Sequence, residues 1–209
     1  MNRRHFLGTS LSAAVAAAMP ATASAGLLKA LTTISSSIVA RTGSGEEATI
    51  EEAALEELKG ALRGHLLLPG NQGYDMARKV LNPSIDRFPA LVVQPRVPAD
   101  VATAVTFAQE RDLLLAVKCG GHSFSGKSTC DGGMQIDLSL LRGVRVERDR
   151  RIANVAGGSL LGDLDHETMA MGLVTPAGTV SHTGVGGLSL GGGFGRLARK
   201  YGLTLDNIR

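Results

Sequence analysis

Residues 184–195 read GVGGLSLGGGFG and contain seven glycines in twelve positions. Holding so many glycines in one conformation costs much conformational entropy, so a folded chain needs a physical reason to keep them. That reason is either a positive φ angle or a very close approach of the backbone to a ligand. A flexible linker is the alternative, but apolar side chains such as Val185 and Phe194 are interleaved with the glycines. We therefore expect an ordered segment, followed by a helix in RLARKYG that ends at Gly202.

A second glycine-rich loop, GGHSFSGKST at residues 120–129, satisfies the phosphate-loop pattern G-x-x-x-x-G-K-S over residues 121–128. Such a loop leads from a strand into the N-terminus of a helix. The apolar run at 113–118 predicts the strand, but Asp-Gly-Gly at 131–133 disfavours the helix. The sequence therefore predicts a strand followed by a loop of backbone N–H groups, which can cradle phosphate without triphosphatase activity. His122, in the middle of the loop, needs a separate explanation.

A dinucleotide-binding fingerprint of the form G-x-G-x-x-A is met by residues 193–198. That fingerprint indicates a dinucleotide-binding site only when it directly follows a strand and when an acidic residue stands about 20 positions later. No clear strand precedes it, and the position of the acidic residue lies past residue 209. We therefore give the match little weight.

The composition excludes several classes of protein. A chain of 209 residues with 44% hydrophobic residues can bury a core, which indicates a globular domain. The net charge of +3 is small, so we expect no nucleic-acid partner. No stretch approaches the roughly 18 consecutive apolar residues of a membrane span, so we expect none.

The first 25 residues combine Arg3 and Arg4 with an alanine-rich stretch and an Ala-Ser-Ala ending. This order predicts a twin-arginine signal peptide and a periplasmic or secreted protein. Because that route carries folded proteins, a tightly held cofactor is expected. Residues 26–48 have no periodic apolar face and are predicted to form a tether.

The rest of the chain predicts an α+β fold. A capping-box pattern at Thr49 and Glu52 favours a helix at the start of a helical segment, residues 49–86. In residues 87–209, a helix in PADVATAVTFAQERD joins strands at 91–95 and 113–118 in a βαβ unit. We predict further elements as strands at 134–138, 144–147 and 152–156, and a helix that ends at Gly172.

The two cysteines, Cys119 and Cys130, leave two alternatives open. They can form a disulfide across the loop between them, or both can be unpaired. Neither has the spacing partners of a zinc site, and no metal site is expected.

Four stretches give the sequence a family resemblance: LLLPGNQGYDMARKVLN, the long run from Ala90 to Gly126, CDGGMQIDLS, and AGTVSHTGVGGLSLGGGFGRLARKYGLTLDNI. They resemble, in family order, the berberine-bridge-like FAD-linked oxidases of the vanillyl-alcohol oxidase and para-cresol methylhydroxylase (PCMH) superfamily. The resemblance covers about residues 55–209. It implies a PCMH-type FAD-binding domain that stops before its C-terminal completion.

In that family the histidine of the GGH motif is bonded to the flavin 8α-methyl group, and the position here is His122. The family more often has arginine at the position of Lys118 and glycine at that of Cys119. A second, cysteinyl link occurs in some members, but Val180 stands at that position, which implies a single histidyl link. His182 is expected near the flavin, with packing or hydrogen bonding as its role. The resemblance implies FAD contacts for Lys118, Cys119, Gly120, Gly121, His122, Ser123, Gly126, Thr183, Gly184, Gly187, Gly191 and Gly192.

The function implied by the resemblance is an FAD-dependent oxidoreductase. Hydride passes from an alcohol-type or similar small organic substrate to FAD, and then to oxygen or another acceptor. Relatives of this kind are more than twice as long, so the catalytic base is expected beyond residue 209. The alternative is a truncated flavin-binding remnant without catalysis.

Overall fold

The computed structural model describes residues 36–209. The predicted signal peptide, residues 1–25, and the first part of the predicted tether lie outside the described residues. Within the described part, no helix has the length and apolar character needed to cross a membrane. In chain order, the elements are β1 (Ile38–Arg41), β2 (Glu47–Ile50), α1 (Glu52–Ala61), β3 (His65–Leu67), α2 (Tyr74–Arg78), β4 (Leu91–Gln94), α3 (Pro98–Glu110), β5 (Leu115–Lys118), β6 (Met134–Asp137), β7 (Val144–Glu147), β8 (Ile152–Val155), α4 (Leu161–Ala170), α5 (Val185–Leu190) and α6 (Ala198–Tyr201), with short 3₁₀ turns at Leu138–Leu140 and Leu205–Asn207.

The central sheet has the strand order β3-β4-β6-β5. β4, β6 and β5 run parallel, and β3 pairs antiparallel with β4 at one edge. The predicted βαβ unit is confirmed as β4-α3-β5, with β6 inserted between its two strands. Leu91, Val92 and Val93 of β4 are completely buried, as expected for an inner strand of a sheet covered on both faces.

A β-hairpin replaces much of the predicted tether. β1 and β2 pair antiparallel, so the prediction of a tether is wrong for residues 38–48. The predicted capping box is also wrong, because Thr49 lies in β2 and the helix begins after Glu51. The hairpin is held by distant partners: Arg41 N donates to Gly132 O at 2.8 Å, and Leu114 N donates to Arg41 O at 2.9 Å. Local periodicity cannot reveal such contacts, since they join residues more than 70 positions apart.

A second layer positions the glycine-rich segment. β7 and β8 form an antiparallel pair, and α4 packs against it. Leu161 and Leu164 of α4 form a small core with Val185, the first residue of α5. Gly172, with φ of +70°, follows the end of α4 as predicted. Val185 and the adjacent Leu188 therefore anchor α5 on this layer. The predictions for β7, β8 and α4 are confirmed.

Candidate functional site

The loop after β5 presents unpaired backbone donors. Gly121 has a φ angle of +70°, which turns the chain immediately after the strand. Within residues 36–209, the backbone N–H groups of Gly120, Gly121 and His122 donate to no acceptor. Successive N–H groups around a left-handed residue form a concave site for an anion. The loop therefore has the chemistry to hold a phosphate group.

The second loop, residues 181–185, is fixed by the start of α4. Leu161 N donates to Thr183 O at 2.9 Å, and Gly162 N donates to Ser181 O at 2.8 Å. Val185 N donates to Ser159 O at 2.8 Å. These bonds hold the backbone on both sides of His182.

The two loops meet backbone to backbone. A Cβ atom at Gly120 would overlap the N atom of Gly184, and one at Gly184 would overlap Gly120 N and the Cys119 sulfur. Only glycine at both positions permits this approach. The predicted cofactor-binding residues of the two motifs are thus brought together.

The contact places His122 against His182. His122 Nε2 lies 2.6 Å from His182 Nδ1, and the ring centroids are 4.6 Å apart. The hydroxyl of Thr183 lies 3.5 Å from His122 Nδ1. Burial lowers the pKa of His122, the neighbouring His182 lowers it further, and a backbone hydrogen bond with His182 opposes both effects. His122 is therefore neutral at physiological pH.

Lys118 differs from its predicted role as a charge beside a phosphate. Its side chain is buried, and its ammonium donates to Ala77 O and to Lys79 O and lies 3.4 Å from the Asp137 carboxylate. The buried charge is paired inside the protein, as burial requires. Lys118 thereby fixes residues 77–79 beneath the loop, and Leu81 N donates to Gly121 O at 3.0 Å.

This bracing segment, residues 77–81, was missed by sequence reasoning. Its backbone oxygens contact the loop about 40 residues away in sequence, and backbone groups leave no signature in residue types. Asp137, the partner of Lys118, is also fully buried and was not singled out. The only available signal was that an acidic residue ends a predicted buried strand.

Ser123 and Gly126 close a turn within the loop. Ser123 Oγ accepts a hydrogen bond from Lys127 N at 3.0 Å, and Ser123 O accepts one from Gly126 N at 3.1 Å. Gly126 has a φ of +74°, and a Cβ there would press on the side chain of Ile85. Both residues thus shape the loop, and the structure gives Gly126 a packing role.

The glycine-rich segment is explained mainly by internal packing. A Cβ at Gly186 would meet the carbonyl oxygen of Gly157, and one at Gly195 would overlap that of Ala177. Gly192 and Gly193 have positive φ angles, while Gly191 ends α5. At Gly187, by contrast, a Cβ would meet nothing within 4 Å. Of the predicted contacts in this segment, Gly187 is the one that faces open space.

The two competing nucleotide motifs lack their structural context. Residues 121–133 contain turns and bends but no helix, and β6 follows them directly, which confirms the prediction for the phosphate-loop pattern. Residues 193–198 run from the turn after α5 to the first residue of α6 and follow no strand. Neither segment therefore has the geometry of a triphosphatase or a Rossmann site.

Both cysteines are unpaired. Cys119 Sγ lies 3.7 Å from Ser159 O, and Cys130 Sγ lies 3.6 Å from Met134 O. Burial raises the pKa of Cys130 to about 11. The thiols serve as small packing groups, and the alternative of a disulfide is not realised.

The site lies outside the clefts of the second layer. One cleft of about 540 Å³ borders β7, β8 and the end of the chain, and another of about 450 Å³ lies beside Arg142 and Asp163. The linings of both clefts exclude the two histidines. Arg142 pairs with Asp163 at 2.9 Å, so its charge is already neutralised. The two loops are identified as the candidate site by their free backbone donors and paired histidines, and not by a large cleft.

Comparison with known proteins agrees with this geometry. Residues 89–209 match the FAD binding domain family. An FAD-linked oxidoreductase of Dictyostelium discoideum is 42% identical over 149 residues, covering 71% of this chain and 32% of that protein. Among solved structures, 6-hydroxy-D-nicotine oxidase from Arthrobacter nicotinovorans superposes with a TM-score of 0.67 at 32% identity, over 69% of this chain and 32% of the other.

A third similar protein is glucooligosaccharide oxidase from Acremonium strictum, which carries a 6-S-cysteinyl, 8α-N1-histidyl FAD. Its TM-score is 0.68 at 31% identity, over 73% of this chain and 33% of the other. The chain therefore spans about a third of the length of the relatives it matches. It belongs to the FAD binding domain family, within the berberine-bridge-like FAD-linked oxidoreductases, and its fold is the predicted α+β PCMH-type FAD-binding domain.

The residues present fit FAD. Three free N–H groups at Gly120, Gly121 and His122 provide donors for a pyrophosphate. Open space over Gly187 allows a flat ring to approach the backbone closely. The side chains of Phe124, Leu190 and Phe194, which belong to the two glycine-rich segments, are at least 79% exposed and so are accessible to a ligand.

Proposed function

We propose that this chain is the flavin-binding part of an oxidase-like FAD-dependent oxidoreductase, in which a single covalent link through His122 holds the flavin. The observation that carries the proposal is the position of a neutral histidine among free backbone donors at the meeting point of two glycine-rich loops. Val180 occupies the position of the second, cysteinyl link, so the histidyl link stands alone.

Each part of the site has a separate task in this proposal. Backbone N–H groups at 120–122 bind the pyrophosphate, and the ion pair of Lys118 with Asp137 keeps their loop in place. Gly187 leaves room for the ring system. When bound, FAD supplies the hydride acceptor and passes electrons on to oxygen or another acceptor. We assign an alcohol-type or similar small organic donor as the substrate class.

His122→Ala tests the covalent link. The variant is expected to bind FAD that stays in solution when the protein is precipitated with acid, whereas the unsubstituted protein precipitates yellow. His166→Ala is the matched control, since His166 is a mostly exposed histidine of α4 that touches neither loop. Acid-stable flavin in His122→Ala would show that the attachment lies elsewhere.

Anaerobic reduction tests the activity. A panel of alcohols and sugars is added to the flavin-loaded protein, and loss of the flavin absorbance is followed. Bleaching by a member of the panel, reversed by air, supports the oxidase-like reaction. If the flavin stays oxidised with every donor while dithionite reduces it, the flavin-binding remnant without catalysis becomes the better description.

We further propose export by the twin-arginine route, on the basis of Arg3, Arg4 and the Ala-Ser-Ala ending at residue 25. Replacing both arginines with lysine is expected to leave the protein in the cytoplasm, because the pathway reads the pair. Periplasmic recovery equal to that of the unsubstituted protein would refute this assignment.

A further inference from the structure

We propose that His182 is a positioning residue that accepts the Nε2 proton of His122, so that Nδ1 of His122 carries the free lone pair and becomes the point of flavin attachment. The inference rests on the proposed histidyl link and names the residue and the nitrogen that make it possible. It gives His182 a role in assembling the cofactor site.

Space around the imidazole selects the nitrogen. His122 Nε2 is already within 2.6 Å of His182 Nδ1, so no carbon atom can reach it without moving that ring. Within residues 36–209, the one hydrogen-bond contact of Nδ1 is with the Thr183 hydroxyl, at 3.5 Å. The nitrogen left for a new bond is therefore Nδ1. The same nitrogen, numbered N1 from the side-chain end of the ring, carries the flavin in the A. strictum oxidase.

The tautomer then follows from the free lone pair on Nδ1. A 2.6 Å contact between two ring nitrogens needs one proton between them. If Nδ1 of His122 keeps its lone pair, its proton sits on Nε2 and is donated to His182 Nδ1. His182 must in turn carry its own proton on Nε2. The Thr183 hydroxyl can donate to His122 Nδ1, which keeps the proton off this nitrogen and orients the ring before the flavin binds.

Two further observations support this arrangement. The pKa of His122 is lowered, by burial first and by His182 second, so the ring is neutral and nucleophilic near pH 7. The backbone of His182 is held by neighbouring hydrogen bonds, including Thr183 N to Val180 O at 2.9 Å. The backbone that carries the accepting ring is therefore held by the fold before any cofactor binds.

The attachment step balances with the proton acceptor included. A bond forms between Nδ1 and the methyl carbon, while one methyl C–H bond and the Nε2–H bond break. Both hydrogens leave as protons, the second of them to His182, and two electrons pass into the flavin ring. Dioxygen then reoxidises the flavin and is reduced to hydrogen peroxide. Without the His182 imidazole, Nε2 loses the ring nitrogen that lies 2.6 Å away and accepts its proton.

The first experiment compares three variants of the full chain, loaded with FAD, by the rate at which flavin becomes acid-stable. His182→Leu keeps the bulk but removes the acceptor, and we expect attachment to slow about 100-fold, the size typical of a lost general base. His182→Asn places an amide oxygen near the former Nδ1; because this oxygen accepts a hydrogen bond but not a proton, the variant should keep the tautomer and recover only part of the rate. His166→Leu, the control, should match the unsubstituted protein. Equal rates for His182→Leu and the control would overturn the proposal.

The second experiment needs no flavin and separates this inference from the proposed function. Long-range ¹H–¹⁵N spectra of the flavin-free chain, labelled at histidine, report which nitrogen of His122 bears the proton. We expect a protonated Nε2 and a bare Nδ1 near neutral pH. A proton on Nδ1 would refute the positioning role even if His122→Ala confirms the link. If the expected tautomer is found but the unsubstituted protein forms no acid-stable flavin, the covalent link is rejected while the hydrogen bond between the two histidines is supported.

Discussion

A glycine can be required either by close packing within the protein or by the space that a ligand needs, and two glycines of this chain illustrate the two cases. Gly184 and Gly187 are three residues apart in the same motif, and sequence reasoning assigned both to the cofactor. The structure separates them, because a Cβ at Gly184 would overlap the opposite loop and a Cβ at Gly187 would meet only open space. The residue type alone cannot distinguish these reasons, since each is compatible with glycine.

Alanine at these two positions gives opposite results. We expect Gly184→Ala to reduce the free energy of unfolding by about 1–3 kcal/mol, as overpacking typically does. Gly187→Ala should leave stability within about 0.5 kcal/mol, because it adds a better helix former in α5 without a clash. It should nevertheless lower the flavin content, since its methyl group enters the space assigned to the ring. Urea denaturation and absorbance at 450 nm measure the two effects; full flavin content in Gly187→Ala would contradict the assigned location of the ring.

Cys130 is expected to be inert in the folded protein. Burial raises the pKa of its thiol to about 11, so the reactive thiolate is roughly 100-fold scarcer than for an ordinary thiol at neutral pH. Iodoacetamide followed by mass mapping should label Cys130 only after unfolding, while the half-buried Cys119 reacts earlier. Rapid labelling of Cys130 under native conditions would contradict the burial.

Among the elements, α1 and α3 are connected by the carboxylate of Asp100, which lies in the first turn of α3 and binds the loop that follows α1. The buried Asp100 accepts backbone hydrogen bonds from Arg63 and Gly64 at 3.0 Å and from Arg96 at 2.9 Å. Burial alone would raise the pKa of Asp100, but the backbone donors outweigh it and the pKa is lowered. One side chain thus ties the loop after α1 to the first turn of α3.

The lowered pKa predicts how this junction responds to acid. Because Asp100 ionises more readily in the folded state, its contribution is fully present above about pH 4 and is lost as the pH falls through the lower folded value. Asp100→Ala should cost about 3 kcal/mol at pH 7, since several buried N–H groups lose their acceptor. The exposed Asp149→Ala is the control and should change stability by less than about 0.5 kcal/mol. Denaturation at pH 7 and below pH 3 measures both; an equal cost at the two pH values would contradict the ionic role.

For the whole molecule, reversible FAD binding should stabilise the fold. In His122→Ala the flavin cannot attach, so binding is an equilibrium, and free FAD at 100 times its dissociation constant should add about 2.7 kcal/mol. This corresponds to a rise in Tm of about 5–10 °C for a chain of this size. Magnesium ATP at the same concentration should change Tm by less than about 1 °C. An equal rise with ATP, lost in Lys127→Ala, would instead revive the phosphate-loop interpretation.

Patterns within about fifteen residues predicted most of the elements. Apolar runs and helical apolar patterns predicted β4 to β8, α3 and α4, because the spacing of apolar residues indicates which face of an element is buried. The glycine motifs likewise marked both loops, and the GGH motif singled out His122. These features are local in the chain, so they can be read without knowing what packs against them.

Contacts between distant residues required the folded molecule. The hairpin at 38–50, the burial of Lys118 against Asp137 and the bracing segment at 77–81 depend on partners that the chain brings together only on folding. The same is true of His182, which stands 60 positions after His122 and yet lies within hydrogen-bonding distance of it. Residue types and spacing identify groups able to bind a flavin, but burial and partners set their roles, because a charge or an imidazole changes its chemistry with its surroundings.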